Sequence, residues 1–534
     1  MRHLLLLQLV LLLLLGCKVE GDATVSGSES FDTEAPKGVR IVTADGGTSI
    51  TATPASFEIS AKDNEGLAAY LLSTDSTTPL VDSKNWVNLK GTPKSKTVTL
   101  EREYTALGKE TLYLWFKDTS DNISNRVSQT FTVDIWPGSI SFATIGVEDA
   151  KTLLQDAAGN LILLFESAGN YDRFTGQGGS DIYLVKLNSL GAEVWSRQFG
   201  GSGDETLESA LLDAAGDLVF TGSTTSSLSG TNAGGTDFFA AKYSAQGSSV
   251  WLRQIGSTAD DVGRAISEDA SGDLVFAGDF AADFSNKVNR GGTDVFVLRL
   301  SSGGKTQWLK RLATTGDDQA WGLANSRTGA TYILGTTDGS FAGTTALGGD
   351  DCLLAKLDAN GNELWVRQFG TTSADRCNQL RLQSDGSVFL AAQTQGAFGD
   401  ATNQGGQDVA LLKYNSQGQL KKSLQLGTSA LDEVNGLYEL TDGSFLLTGT
   451  TYGSLGGTHA GGGDAFMAAV TADFTLDWTS QIGGTGLDEG KNLVEDSLGN
   501  LVWAVTSASS FEDITHLGSG DAILLKTSAR GAVK

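Results

Sequence analysis

Beyond Val39 the apolar residues come in short runs parted by Gly, Ser, Asn and Asp, the pattern of strands joined by turns. Val39–Val42, Phe57–Ser60, Ala68–Leu72, Thr97–Leu100, Thr111–Phe116 and Gln129–Val133 are six such runs, rich in β-branched and aromatic residues. Their lengths and the turns between them predict a small β-sandwich. Period-two alternation puts Leu112, Leu114 and Phe116 on one strand face and Tyr113 and Trp115 on the other. Trp86 and Trp115 are expected in its core rather than as ligand platforms.

From Trp136 onward the runs repeat. One unit holds Leu207–Leu212, Leu218–Gly222, Phe238–Tyr243 and Val250–Ile255, and the third run is entered through Gly-Gly-Thr-Asp. The aspartate of that entrance recurs at Asp181, Asp237, Asp294, Asp351, Asp408, Asp464 and Asp521, 56 or 57 residues apart. Glycines keep the same period at Gly159, Gly216, Gly272, Gly329, Gly386, Gly443 and Gly499, where a tight turn between the first two runs needs positive φ. No proline follows Pro137, so glycine makes the turns. Four hairpin-linked strands per unit, seven times over, predict an all-β chain with a seven-bladed propeller; a parallel β-helix would need shorter, more uniform periods.

Tryptophan marks the fourth strand at Trp195, Trp251, Trp308, Trp365 and Trp478, with Lys422 in its place in the fifth unit. A residue recurring with the blade is expected to pack between blades. The last unit stops before its fourth strand, while Ser139–Gly146 precedes the first unit and resembles the missing piece. That segment is therefore expected to complete blade seven, leaving no open inner edge at the join.

The order Gly-Gly-x-Asp, strand, Gly, Trp, then Phe199-Gly200-Gly201-Ser202-Gly203-Asp204 resembles the bacterial propeller repeat called SBBP. The resemblance implies seven blades, an extracytoplasmic setting and a binding or scaffolding role. Thr111–Ser124 resembles the late strand and turn of bacterial immunoglobulin-like or fibronectin-like domains. The domain expectation is thus a sandwich of that type over 38–135 and a propeller over 136–534.

At the N-terminus Arg2 and His3 precede an apolar run, Leu4–Leu15, of signal-peptide length and too short to span a bilayer. It closes with Leu14-Leu15-Gly16-Cys17, which resembles the lipobox of bacterial lipoproteins. The resemblance implies removal of residues 1–16 and acylation of Cys17, a firm membrane anchor. Residues 17–37, rich in Gly, Ser, Thr and acids, read as a disordered tether. Lys18 after the cysteine points to the outer membrane or cell surface. A net charge of −25 repels nucleic acid and anionic headgroups, which argues against a nucleic-acid partner. A monomer is expected, with the membrane engaged through the anchor and an envelope protein or glycan as partner.

Two loop sets fall on one face of such a propeller, and both carry aspartates. To the seven above are added Asp204, Asp260, Asp317, Asp375, Asp432 and Asp488, with Asp149 in the first unit. They form a candidate ligand or ion face, able to bind calcium weakly; aspartates at strand entrances also accept N–H groups of their own loops. No dedicated metal site or cofactor is expected. In the sandwich, Asp118, Asp121 and Asn122 are read as turn formers. His459 and His516 stand where Asn232, Asn289 and Asn403 stand elsewhere, residues tolerant of left-handed turns, and the position is read as a turn. Cys352 and Cys377 could pair, and the sequence leaves that open. Nucleophile-elbow and phosphate-loop motifs are absent. The leading reading is non-catalytic recognition or scaffolding. Its rivals are a carbohydrate-active hydrolase or lyase with paired carboxylates and a purely structural envelope protein.

Overall fold

The computed structural model describes residues 32–104, 107–144, 146–440, 442–510, 516 and 519–528. Cys17, the signal segment, most of the tether and Gly531 lie outside them. Among the described residues every regular element is a strand. Contacts divide the chain into two units, the first comprising Met1–Thr48, Ser56–Arg102 and Glu110–Phe131, the second Ser49–Ala55, Glu103–Lys109 and Thr132–Lys534.

The N-terminal strands form two sheets. One orders Lys37–Thr43, Ala55–Lys62 and Ser95–Arg102; the other orders Ser49–Ile50, Val127–Val133, Gly108–Asp118, Leu67–Ser73 and Val87–Asn88. All six runs read from the sequence fall within these strands. Phe57 of the first sheet meets Phe131 of the second edge-on at 5.1 Å, and both are buried with Leu112 and Leu114, so the two sheets face each other as a sandwich. Trp115 is fully buried as expected. Trp86 is not in the core: it lies in the long loop before Val87, half-buried, where its indole donates to the Leu80 carbonyl and Lys117 lies over its ring.

The second unit is a seven-bladed propeller. Seven four-stranded antiparallel sheets follow in chain order, the first running from Glu148–Gln155 to Glu193–Phe199. The seventh takes Ser139–Phe142 as its outer strand, paired antiparallel with Asp521–Thr527 through Ala522 opposite Phe142 and Leu525 opposite Ser139. The expected closure is therefore present. First strands of successive blades pack against one another around the ring, including blade one against blade seven. Second and third strands are buried along nearly their whole length between neighbouring blades, which is why they read as continuous apolar runs.

The turn glycines have φ near +80°, from Gly159 at 79° to Gly329 at 83°. The expected tryptophans pack between blades. A Cβ on Gly247, Gly304, Gly361 or Gly418, in the next blade's last hairpin turn, would meet Trp195, Trp251, Trp308 or Trp365 at about van der Waals distance or less. Trp195, Trp251 and Trp308 also donate their indole N–H to carbonyls of that turn. Cys352 and Cys377 are bonded, with Cα atoms 5.4 Å apart, inside the apolar layer between blades four and five.

Candidate functional site

The loop aspartates come first, because the sequence singled them out. Asp181, Asp237, Asp294, Asp351, Asp408, Asp464 and Asp521 are all buried, at most 1% exposed. In six of them a carboxylate oxygen accepts the backbone N–H four residues back, as Gln177 N–H to Asp181 at 2.9 Å and Ala460 N–H to Asp464 at 2.9 Å. A glutamine of the outer strand clamps the same group from the other side: Gln198, Gln254, Gln368, Gln425 and Gln481 donate to Asp181, Asp237, Asp351, Asp408 and Asp464 at 2.7 to 2.9 Å. These carboxylates stitch loop to blade and do not face solvent.

The second set divides into two structural positions. Asp375, Asp432 and Asp488 open their inner strands and are buried, and their counterparts in blades one to four are Glu148, Glu205, Asp261 and Asp318, not the aspartates one residue away. Asp204, Asp260 and Asp317 precede those counterparts, are exposed, and accept the N–H of Ser180, Thr236 and Thr293 at 2.8 to 2.9 Å, tying one blade's loop to the next. Asp149 lies one residue beyond its blade's opening Glu148, in a charged cluster beside the axial cavity described below. The thirteen do not compose one uniform acidic face.

Among the described residues, Asp32, Asp63 and Asp118 bring carboxylate oxygens within 4.8 Å of one another. Asp118 already accepts the N–H groups of Ser120 and Asn122, the expected turn. Asp121 takes φ of 65° and pairs with Lys117. The expected turn is present at the asparagines without a left-handed backbone: Asn232, Asn289 and Asn403, none of them at positive φ, accept the N–H of Gly234, Gly291 and Gly405 two residues on. Asn232 and Asn289 also donate to loop carbonyls, and His459 and His516 bring Nδ1 to Asp464 and Asp521 at 3.4 and 3.2 Å.

What the sequence reading missed is the propeller axis. Every inner strand carries an irregularity in its pairing after the third residue, as between Leu207 and Ser209 in blade two. A residue skipped by the ladder is re-aimed. The skipped residues are Lys151, Glu208, Arg264, Trp321, Asn378, Asn435 and, with Asn492, Lys491. Six of these, with Asn492, line one axial cavity of about 340 Å³. Two residues earlier on each strand, toward the loop-rich end, stand Asp149, Thr206, Val262, Gln319, Arg376, Glu433 and Glu489. The blades are alike almost everywhere else; here they are chemically different. Superposing the seven repeats on their inner strands would have exposed this in the sequence.

Two charged clusters flank the cavity. On one side Lys151 pairs with Asp149 at 2.8 Å and Glu166 at 3.2 Å, and Lys491 with Asp149 at 3.2 Å and Glu489 at 3.0 Å. Burial works to lower the Lys151 pKa, but Asp149 and Glu166 outweigh it and hold the ammonium above its usual range. Burial pushes Glu166 up despite Lys151, while for Asp149 burial is outweighed by Lys491 and Lys151 and the carboxyl is held low. On the other side Arg264 binds Glu208 at 3.0 Å and Asp279 at 2.7 Å. Burial pushes the Asp279 carboxyl up to about 6 in spite of Arg264. Asp279 and Glu166 also accept the N–H of Ala320 and Leu207, the residues just before the skipped position in the next blade.

Trp321 organises this second cluster. Its indole donates to the Thr336 hydroxyl at 3.1 Å, and the guanidinium groups of Arg264 and Arg376 lie over its ring, 4.7 and 3.8 Å from the centroid. Burial, and then Arg264 beside it, press the Arg376 pKa below its usual value.

No known protein family's model matches the chain. Over 297 residues the chain is 24% identical to the regulatory protein FlaEY of Caulobacter vibrioides, a stretch covering 48% of this chain and 31% of that protein. Among solved structures, the polysaccharide lyase Uly1 matches 71% of this chain and 90% of its own at 10% identity and TM-score 0.41. The rhamnogalacturonan lyase YesW matches 92% and 89% at 12% identity and TM-score 0.36. At these scores neither lyase's activity transfers to this chain.

Proposed function

We propose that this chain is a lipid-anchored protein of the bacterial cell envelope that recognises a partner without catalysis, through the axial end of its propeller. The observation that carries the reading is the divergence of the blades along the axis. Strand starts, turns, loop aspartates and inter-blade tryptophans repeat, so they serve the fold that every blade shares. The axial residues vary from blade to blade, with only asparagine and lysine occurring twice at the skipped position, and they include half-buried cations, carboxylates, amides and one tryptophan. A surface serving only closure would be free to repeat as the rest does.

Against paired-carboxylate catalysis stands the placement of the two carboxyls raised furthest. Asp261, pushed up to about 7 by burial, is fully enclosed, and Asp279 is almost fully enclosed and bound to Arg264. The lipobox ending at Cys17 and the Cys352–Cys377 disulfide support an oxidising compartment outside the cytoplasm. Screening the lipid-free protein on glycan and envelope-protein arrays tests the function: discrete, saturable binding with titrants recovered intact is expected. Cleaved glycans would replace the reading with the carbohydrate-active one. Cys17→Ser tests the address, with loss of detergent partitioning expected and unchanged partitioning contradicting it.

A further inference from the structure

We propose that Arg376, held on Trp321 at the mouth of the axial channel, binds the anionic group of a small hydroxylated ligand; this rests on the axial end being the recognition surface. Arg264 is already neutralised by Glu208 and Asp279, which fix its guanidinium over the Trp321 ring. Thr336 fixes the indole from its N–H. Arg376 is thereby given a rigid aromatic seat, and among the described residues no carboxylate stands within ion-pair distance of it. A guanidinium lying over a ring keeps N–H groups at its perimeter, which can donate two parallel bonds to a carboxylate or sulfate.

Below this mouth the channel holds about 340 Å³, at the small end of the range for pockets that take small molecules. Its lining is rich in neutral polar groups: Asn378, Asn435, Gln379 and Asn492. The Asn378 side chain is fixed by donation to the Val434 carbonyl at 2.7 Å, and its own carbonyl oxygen is enclosed with no hydrogen-bond partner in the protein. Cavity size and lining fit a ligand of monosaccharide size. A polyanion is disfavoured by the chain's net charge of −25, whereas a single anionic group feels mainly the local guanidinium, because distant charges are screened beyond about 8 to 10 Å. The ligand class is therefore one anionic group on a small polyhydroxylated body.

Calorimetric titration of the full chain in detergent, with glucuronate, glucose and sulfate as probes, tests this. Glucuronate is expected to bind, with glucose and sulfate each at least about ten-fold weaker, glucose because it lacks the charge-assisted hydrogen bonds and sulfate because it lacks the hydroxyls that the amide-lined cavity bonds. Arg376→Gln should weaken glucuronate by about ten-fold or more, Arg376→Lys should fall between, and Asp204→Asn on the outer loops should change nothing. A melting transition matching the wild type establishes that Arg376→Gln folds; the Lys variant carries the comparison otherwise. Equal glucuronate binding by the wild type and both Arg376 variants overturns the site. So does glucose or sulfate binding as tightly as glucuronate, or no binding of glucuronate up to millimolar concentration. If glucuronate fails while the arrays yield a partner, the anion site falls and the recognition reading stands. If glucuronosides bind at Arg376 and are cleaved, the non-catalytic reading falls and the anion site stands.

Discussion

Lys422 and Phe474 break the repeat together. In blades one to four an outer-strand tryptophan lies on the turn glycine of the next blade; in blade five the tryptophan is Lys422, and in blade six the turn residue is Phe474, at φ of 66° where Gly418 has 73°. The Phe474 ring packs on Phe389 and lies beneath the Lys422 ammonium, 5.8 Å from it, filling the space an indole would take. The two changes compensate in volume. Phe474→Gly alone should cost about 2 to 3 kcal/mol, a cavity offset in part by relief of the left-handed backbone. Lys422→Trp alone should clash with the ring, and the double variant should recover, with a coupling above about 1 kcal/mol in a denaturant-unfolding cycle. Additive single effects would contradict the pairing.

A second prediction at this scale concerns Asp261. Its carboxyl is enclosed, with Oδ2 accepting the Ser257 N–H at 2.5 Å and Oδ1 without a protein partner. Burial raises it to about 7 in the fold, from an unfolded value near 3.8. A raised acid favours folding while protonated, so its contribution is fully present below about pH 4 and is lost as pH rises through about 7. Asp318, Asp375, Asp432 and Asp488 are shifted in the same direction by burial. The propeller should therefore be more stable at pH 5 than at pH 8. Asp261→Asn keeps the acceptor for Ser257 and removes the charge; it should stabilise the protein at pH 8, by up to about 4 kcal/mol, and much less at pH 5. Equal effects at both values, read from denaturation midpoints, would refute this.

Residue identity was legible where spacing alone decides it, as for the turn glycines and the inter-blade tryptophans. It was not legible where a neighbour one residue away offers the same chemistry. Asp204, Asp260 and Asp317 were grouped with Asp375, Asp432 and Asp488 because aspartate stands at or beside every strand start. Only burial separates the exposed loop ties from the enclosed starts.

Among elements, the strand Ser139–Phe142 has the largest consequence for its length. It supplies the outer edge of blade seven from the opposite end of the propeller segment, and Lys526 beside it is buried between Asp134 at 2.5 Å and Asp496 at 2.7 Å. Deleting Ser139–Gly146 removes a ladder of backbone bonds and exposes a sheet edge. Hydrogen exchange should rise first at Ala522–Lys526, and more in blade seven than in blade three; uniform exchange would contradict the closure. This strand was readable because a missing fourth run at one end matched a spare run at the other. The inner-strand bulges were not, since one skipped residue leaves a run's length and apolar character unchanged while turning its side chain to the axis.

At the scale of the whole molecule, seven near-equivalent blades give rigidity and leave chemistry to the few places where they differ. The acidity of the chain follows a similar logic. Most of the loop carboxylates accept N–H groups of their own fold and retain few lone pairs for an ion, whereas a tight calcium site needs six to eight oxygens arranged for it. Micromolar calcium should leave hydrogen exchange of propeller peptides unchanged, with millimolar effects that fade as monovalent salt is added. Protection of the loop aspartates at micromolar calcium, insensitive to salt, would reverse that assignment.

The most direct test of an axial recognition site compares two variants with the wild type on the same glycan and envelope-protein arrays. One is Arg376→Glu at the channel mouth; the other is Asp204→Asn, Asp260→Asn and Asp317→Asn together on the exposed loops. The account predicts that the loop variant keeps the wild-type binding profile and that the channel variant loses it. Loss of binding in the loop variant, with the profile intact in the channel variant, would contradict it.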